Sequence, residues 1–175
     1  MIQIKNAAEL QKMRKACAIS AAALKAGGEA IEPGITTAEI DKIIYDFIVR
    51  HGARPNFLHL YGFPATACIS VNDTVIHGIP NKQQQIRPGD IVSIDTGCKI
   101  DGFDGDNACT YACGKIDLEA QRLLDVTKES LHRGIEMACG GNRVGDIGHA
   151  VQSYVEENGF SVVRTFVGHR VGQGL

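Results

Sequence analysis

The sequence predicts an α+β domain, on three observations. Two segments with helical period open the chain, a stretch rich in glycine and β-branched residues follows, and helical period then returns. The first helix is expected from about Ala7 to Ala30, with Asn6 as N-cap and Glu9 at capping-box spacing. Its predicted buried face is Leu10, Met13, Cys17, Ser20 and Leu24. Pro33-Gly34 breaks it, and a second helix follows, capped by Thr36 with Glu39 and ended by Gly52. Ile40, Ile43, Ile44, Phe47 and Ile48 form its apolar face. Strands are expected near residues 67–71, 74–77, 91–99 and 103–113. Helices then run from Leu118 to about Ala138 and from Val144 to Glu157, the latter ended by Gly159. Phe160 to Val167 reads as a further strand, and Met1–Asn6 as a short alternating strand rather than a signal peptide.

Composition narrows the function classes. At 175 residues, 44% hydrophobic and 22% charged, the chain can bury one ordinary core. A net charge of −2 with scattered basic residues recruits neither nucleic acid nor an anionic membrane. No apolar run approaches the roughly 18 residues that span a bilayer. The six cysteines contain no CxxC and sit among apolar or small residues, which suits reduced thiols in a cytoplasmic protein. A Cys109–Cys113 pair is an alternative metal or redox reading, against which the strand character of that segment speaks.

The chain also resembles itself. Shifted by 107 residues, Gly34 falls on Gly141, Ile40 on Ile147, Ile44 on Val151, Phe47 on Tyr154, Ile48 on Val155 and Gly52 on Gly159. Glu39 falls on Asp146. Either two amphipathic helices with glycine ends align by their common pattern, or the chain holds two copies of a helix–helix–sheet unit.

The densest chemistry lies in Asp90–Asp106. Asp101-Gly102 between strand-like runs signals a two-residue hairpin. Folding there sets Ile100 against Phe103, Lys99 against Asp104, and Gly97 against Asp106. Asp95, two residues from Gly97, shares a face with Asp106. Asp101, Asp104 and Lys99 read as ordinary solvated residues. Two neighbouring anions on a half-buried face need either solvent, a raised pKa or a cation. Oxygen ligands would suit Mn, Mg, Co or Fe. His77, before Gly78-Ile-Pro80, and His169, after Gly168, each sit where a strand meets a glycine turn. Both are open to a structural reading and to a ligand or donor reading.

This order of motifs resembles the type I methionine aminopeptidases, which have the pita-bread fold. The resemblance is carried by Tyr61-Gly-Phe-Pro-Ala-Thr-Ala-Cys68, His77-Gly-Ile-Pro80, the Asp95/Asp106 hairpin and Gly168-His169. It implies a pita-bread α+β fold with its first half complete and its second half partial. On it, residues 1–175 form a single truncated catalytic domain, with 1–115 as the first half and 116–175 as the second.

The resemblance also implies metal-dependent removal of the initiator methionine from nascent chains. Asp95, Asp106 and His169 would be metal ligands, with two Glu ligands expected beyond residue 175. His77 would be catalytic and contact the substrate near the scissile amide, and Phe63 and Cys68 would bind the methionine side chain. Two divalent ions (Co, Mn, Fe, Zn or similar) are the implied cofactors. Partners are N-terminal Met peptides, the ribosome as a candidate, and other copies of the chain through an exposed sheet edge. The alternative is a non-catalytic pita-bread binding module or an inactive fragment. Two departures stand out. Gly168-His169-Arg170-Val171-Gly172 replaces the family's Gly-His-Gly-Ile-Gly, and Leu60 stands where many members carry Tyr. With three of five ligands present, little activity is expected of this chain.

Overall fold

The computed structural model describes residues 3–174. They form two compact units, one of the residues up to Ile116 together with those from Arg170, the other Asp117–His169. In the first unit, α1 (Ala7–Glu29) begins as its cap foretells. The Asn6 side chain accepts from the Glu9 N–H at 2.9 Å, and Glu9 accepts from the Asn6 N–H at 2.8 Å. Its buried face is Ala16, Ser20, Ala23, Leu24 and Gly27, while Leu10 is 42% exposed. The predicted face was therefore rotated toward the larger side chains. Small residues win because the helix lies directly on a strand. A Cβ on Gly105 would come within 2.5 Å of the Ala16 carbonyl, so backbone meets backbone there.

The second helix, α2 (Thr37–Arg50), carries a full capping box between Thr36 and Glu39. It buries Ile40, Ile44 and Ile48 completely. Gly52 follows it at φ +73°, the left-handed position that favours glycine. At Gly27 the two helices close on each other: a Cβ there would stand 2.7 Å from Ile44 Cδ1.

Four antiparallel strands follow: β1 (Arg54–Pro55), β2 (Ala67–Val71), β3 (Ile91–Ile100) and β4 (Phe103–Ala112). β3 pairs with β2 and β1 along one edge and with β4 along the other. Asp101 and Gly102 take φ +53° and +83°, the two left-handed residues of a tight hairpin turn. The foreseen pairs all form: Ile100 with Phe103, Lys99 with Asp104, and Gly97 with Asp106. Alternation then divides the sheet. Ala67, Ile69, Val71, Val92, Ile94 and Cys98 join Leu24, Ile40, Ile44 and Ile48 in one apolar core. The opposite face carries Cys68, Ser93, Asp95, Asp106 and Thr110.

The strand expected at 74–77 does not form. Asn72 turns the chain at φ +53° and spends its side chain on Asp90 (2.8 Å) and the Ile91 N–H (3.0 Å), stapling two loops. Of that region, Gly78 meets β2, accepting from the Ile69 N–H at 2.8 Å and donating to Ser70 Oγ at 3.0 Å. At the other end of the sheet, residues 3–6 are irregular; the remainder of the expected N-terminal strand, Met1 and Ile2, lies outside the described residues.

The second unit holds α3 (Leu118–Met137) and α4 (Val144–Glu157). Asp117 caps α3, accepting from the Ala120 N–H at 2.7 Å. The internal match is visible in three dimensions. α2 and α4 have the same length of 14 residues and begin 107 residues apart. The glycines before them, Gly34 and Gly141, have φ +98° and +97°, and those after them, Gly52 and Gly159, +73° and +79°. A Cβ on Gly134 would stand 2.9 Å from Val151 and 3.5 Å from Ile147, the counterparts of the Gly27 contacts with Ile44 and Ile40. The expected strand Phe160–Val167 is not formed. An extended segment becomes a strand only by hydrogen bonding to another, and among the described residues none pairs with it. Among the described residues, no helix is long and apolar enough to cross a membrane.

Candidate metal centre

The hairpin builds the site. Asp95 stands at the middle of β3 between Cys68 on β2 and Ala108 on β4, and Asp106 stands opposite Gly97. Both carboxylates are half-buried and lie diagonal to each other on the face away from α1 and α2. Space at Gly97 is tight. A Cβ would lie 3.0 Å from the Gly105 carbonyl oxygen and 3.3 Å from both Asn56 Nδ2 and Phe57 Cε1. The Asn56 amide nitrogen is buried beside this position, with no hydrogen-bond partner among the described residues.

Cys68 reports the field of the pair. Burial first, then the negative charges of Asp95, Asp106 and Asp41, push its thiol up to about 12. It is therefore neutral near pH 7 and no nucleophile. Asp41, on α2, accepts from the Thr66 and Ala67 N–H groups at 2.9 and 2.8 Å and so fixes the start of β2. Burial outweighs those two bonds and raises its own pKa. Two adjacent carboxylates in a region of negative potential fit a hard divalent cation. Among the described residues, no group of three or more His, Cys, Asp or Glu side chains is gathered as a metal cluster.

The remaining expected residues are placed as follows. His169 is exposed and belongs to the second unit. His77 is exposed, at φ +56°, a strained conformation for a residue with a Cβ. Gly78 fixes its height, because a Cβ at that glycine would lie 2.1 Å from the Ile69 carbonyl oxygen. Phe63 is half-buried and ends a 3₁₀ turn, Leu60–Gly62. Its carbonyl accepts from the His59 N–H at 2.8 Å, with His59 and Tyr61 both at positive φ. Cys68 is buried.

Asp104 is not a solvated hairpin residue but 1% exposed, paired with Lys99 at 3.2 Å. Its only sequence signal was its place opposite Lys99. Asn56 carried no signal, since nothing local ties it to Gly97.

The fold is of the pita-bread class. The chain belongs to metallopeptidase family M24, whose model matches residues 11–175. Within that family it is similar to methionine aminopeptidases. It is 51% identical to the one of Clostridium perfringens, with 99% of this chain and 69% of the relative covered. It is 46% identical to methionine aminopeptidase 1 of Bacillus subtilis over 100% of this chain and 70% of that protein. The crystal structure of the Thermotoga maritima methionine aminopeptidase superposes with a TM-score of 0.97 at 38% identity, covering 99% of this chain and 70% of that one. The prolidase of Pyrococcus furiosus, at 23% identity and a TM-score of 0.85, covers 98% of this chain and 49% of that one and shares the fold. The α+β pita-bread expectation is borne out.

Proposed function

We propose that this protein removes methionine from the N-termini of nascent chains with divalent ions, Asp95, Asp106 and His169 serving as ligands. The observation that carries the reading is the hairpin register, which sets Asp95 and Asp106 on one face around a glycine with little room for a side chain. Bound ions of the Co, Mn, Fe or Zn kind supply an activated water and polarise the scissile carbonyl. The chain's own residues do the rest. The two aspartates fix where the ions sit. Phe63 and the neutral Cys68 thiol offer the substrate methionine a soft, apolar wall suited to its thioether. His77, held on a left-handed backbone beside the edge of β2, presents an imidazole to the scissile amide.

Incubation with a Met-Gly-Met peptide and Mn or Co, with and without a chelator, tests the reading. Chelator-sensitive release of methionine supports it, and release indifferent to chelator would refute the metal.

A further inference from the structure

We propose that Lys99 and Asp104 form a clamp that holds Gly172-Gln173 at the turn end of the metal-ligand hairpin and so positions the segment that follows His169. The proposal deepens the metal-centre reading and rests on it. Asp104 is a buried carboxylate on the same face of β4 as Asp106, two residues away. The Lys99 ammonium lies 3.2 Å from its Oδ2, off the line of a hydrogen bond, so the contact is an ion pair. The ammonium directs its hydrogen bond elsewhere, to the carbonyl of Gln173 at 2.8 Å. The Asp104 N–H, on the outer edge of β4, donates to the Gly172 carbonyl at 2.7 Å. Gly172 is itself buried, and a Cβ there would meet the Lys5 ammonium at 3.4 Å. Thus a backbone bond and a lysine that the aspartate orients hold two consecutive residues of a segment about seventy positions away.

A buried ion pair is a poor source of stability, since desolvation offsets its attraction. It is a good source of unique geometry. Gly172 follows His169 by three positions. Fixing Gly172 therefore tethers the chain just after that residue. The pair stands two register positions from Gly97–Asp106 on the same face, where a structural brace would act on ligand placement. Supports of this kind around metal ligands change affinity by about 10–100-fold when removed.

The test compares Mn affinity by calorimetry in the 175-residue wild type, K99R, K99M/D104N and D106N. Amide exchange of residues 171–174 is measured alongside. K99M/D104N removes both charges together, so the net field at the hairpin is unchanged and no buried charge is orphaned. The clamp predicts a far-UV spectrum like that of wild type, faster exchange at 171–174, and Mn binding weaker by about ten-fold or more. K99R, which keeps the cation and its donors, should bind within about three-fold of wild type. Wild-type Mn affinity in K99M/D104N would overturn the clamp, as would equal weakening in K99R. D106N separates the two ideas. If it binds Mn as wild type does, the metal centre itself is wrong; if it loses Mn while K99M/D104N does not, only the clamp is.

Discussion

The two helix pairs carry one pattern and meet two fates. α1 with α2 and α3 with α4 share an offset of 107 residues, glycine-bounded second helices and a glycine that admits a branched side chain of the next helix. Yet Ile40, Ile44 and Ile48 are fully buried, whereas their counterparts Ile147 and Val151 are half-exposed and Val155 is 8% exposed. Leu24 is 6% exposed and its counterpart Leu131 is 58% exposed; Ile135 and Val144 are also open. The helix pair is encoded locally, by caps and by the glycine contact. Its burial comes from a sheet, and in the first unit strands β2, β3 and β4 supply it.

Core truncation should show this difference most strongly. I44A is expected to cost about 4 kcal/mol and V151A about 1 kcal/mol, by urea titration followed by circular dichroism. Equal losses would break the comparison. The interhelix glycines come next. G27A forces a Cβ against the enclosed Ile44 and should destabilise by about 1 kcal/mol net of its gain in helix propensity. At Gly134 the opposing Val151 has room to move, so G134A should be neutral or slightly stabilising.

The caps differ as well. Thr36 Oγ1 accepts from the Glu39 N–H at 3.2 Å, but a guanidinium cannot accept, so at Arg143 only the return bond to Asp146 forms, at 2.6 Å. T36A should cost about 1 kcal/mol and R143A close to nothing, read from the same titrations. The smallest signal is chemical. With its pKa raised to about 12, Cys68 should resist iodoacetamide at pH 8, while exposed Cys109 and Cys139 react. The sign is that of an acid held neutral by the fold. Stability from Cys68 is intact below its ordinary value near 9 and is lost as pH rises from there toward 12.

What the sequence revealed follows the same division. The hairpin was legible because Asp101-Gly102 dictates both turn and register, and register alone puts Asp95 and Asp106 on one face. Caps at Asn6 and Thr36 were legible because their partners lie three residues on. Segments 74–77 and 160–167 were misread because β-branched residues mark a chain able to form a strand, not one that finds a partner. The burial of Asp104 was invisible because Gly172 and Gln173 come from far along the chain. The face of α1 was rotated because close approach to β4 selects small residues that a hydrophobic ranking passes over.

The central claim is that Asp95 and Asp106 hold a divalent ion. Titration of the wild-type chain and of D95N/D106N with Co(II), followed by visible d–d absorption, tests it most directly. The account predicts a saturable band from wild type that is absent from D95N/D106N while the far-UV spectrum is unchanged. An equal band from both proteins, or none from wild type, would contradict it.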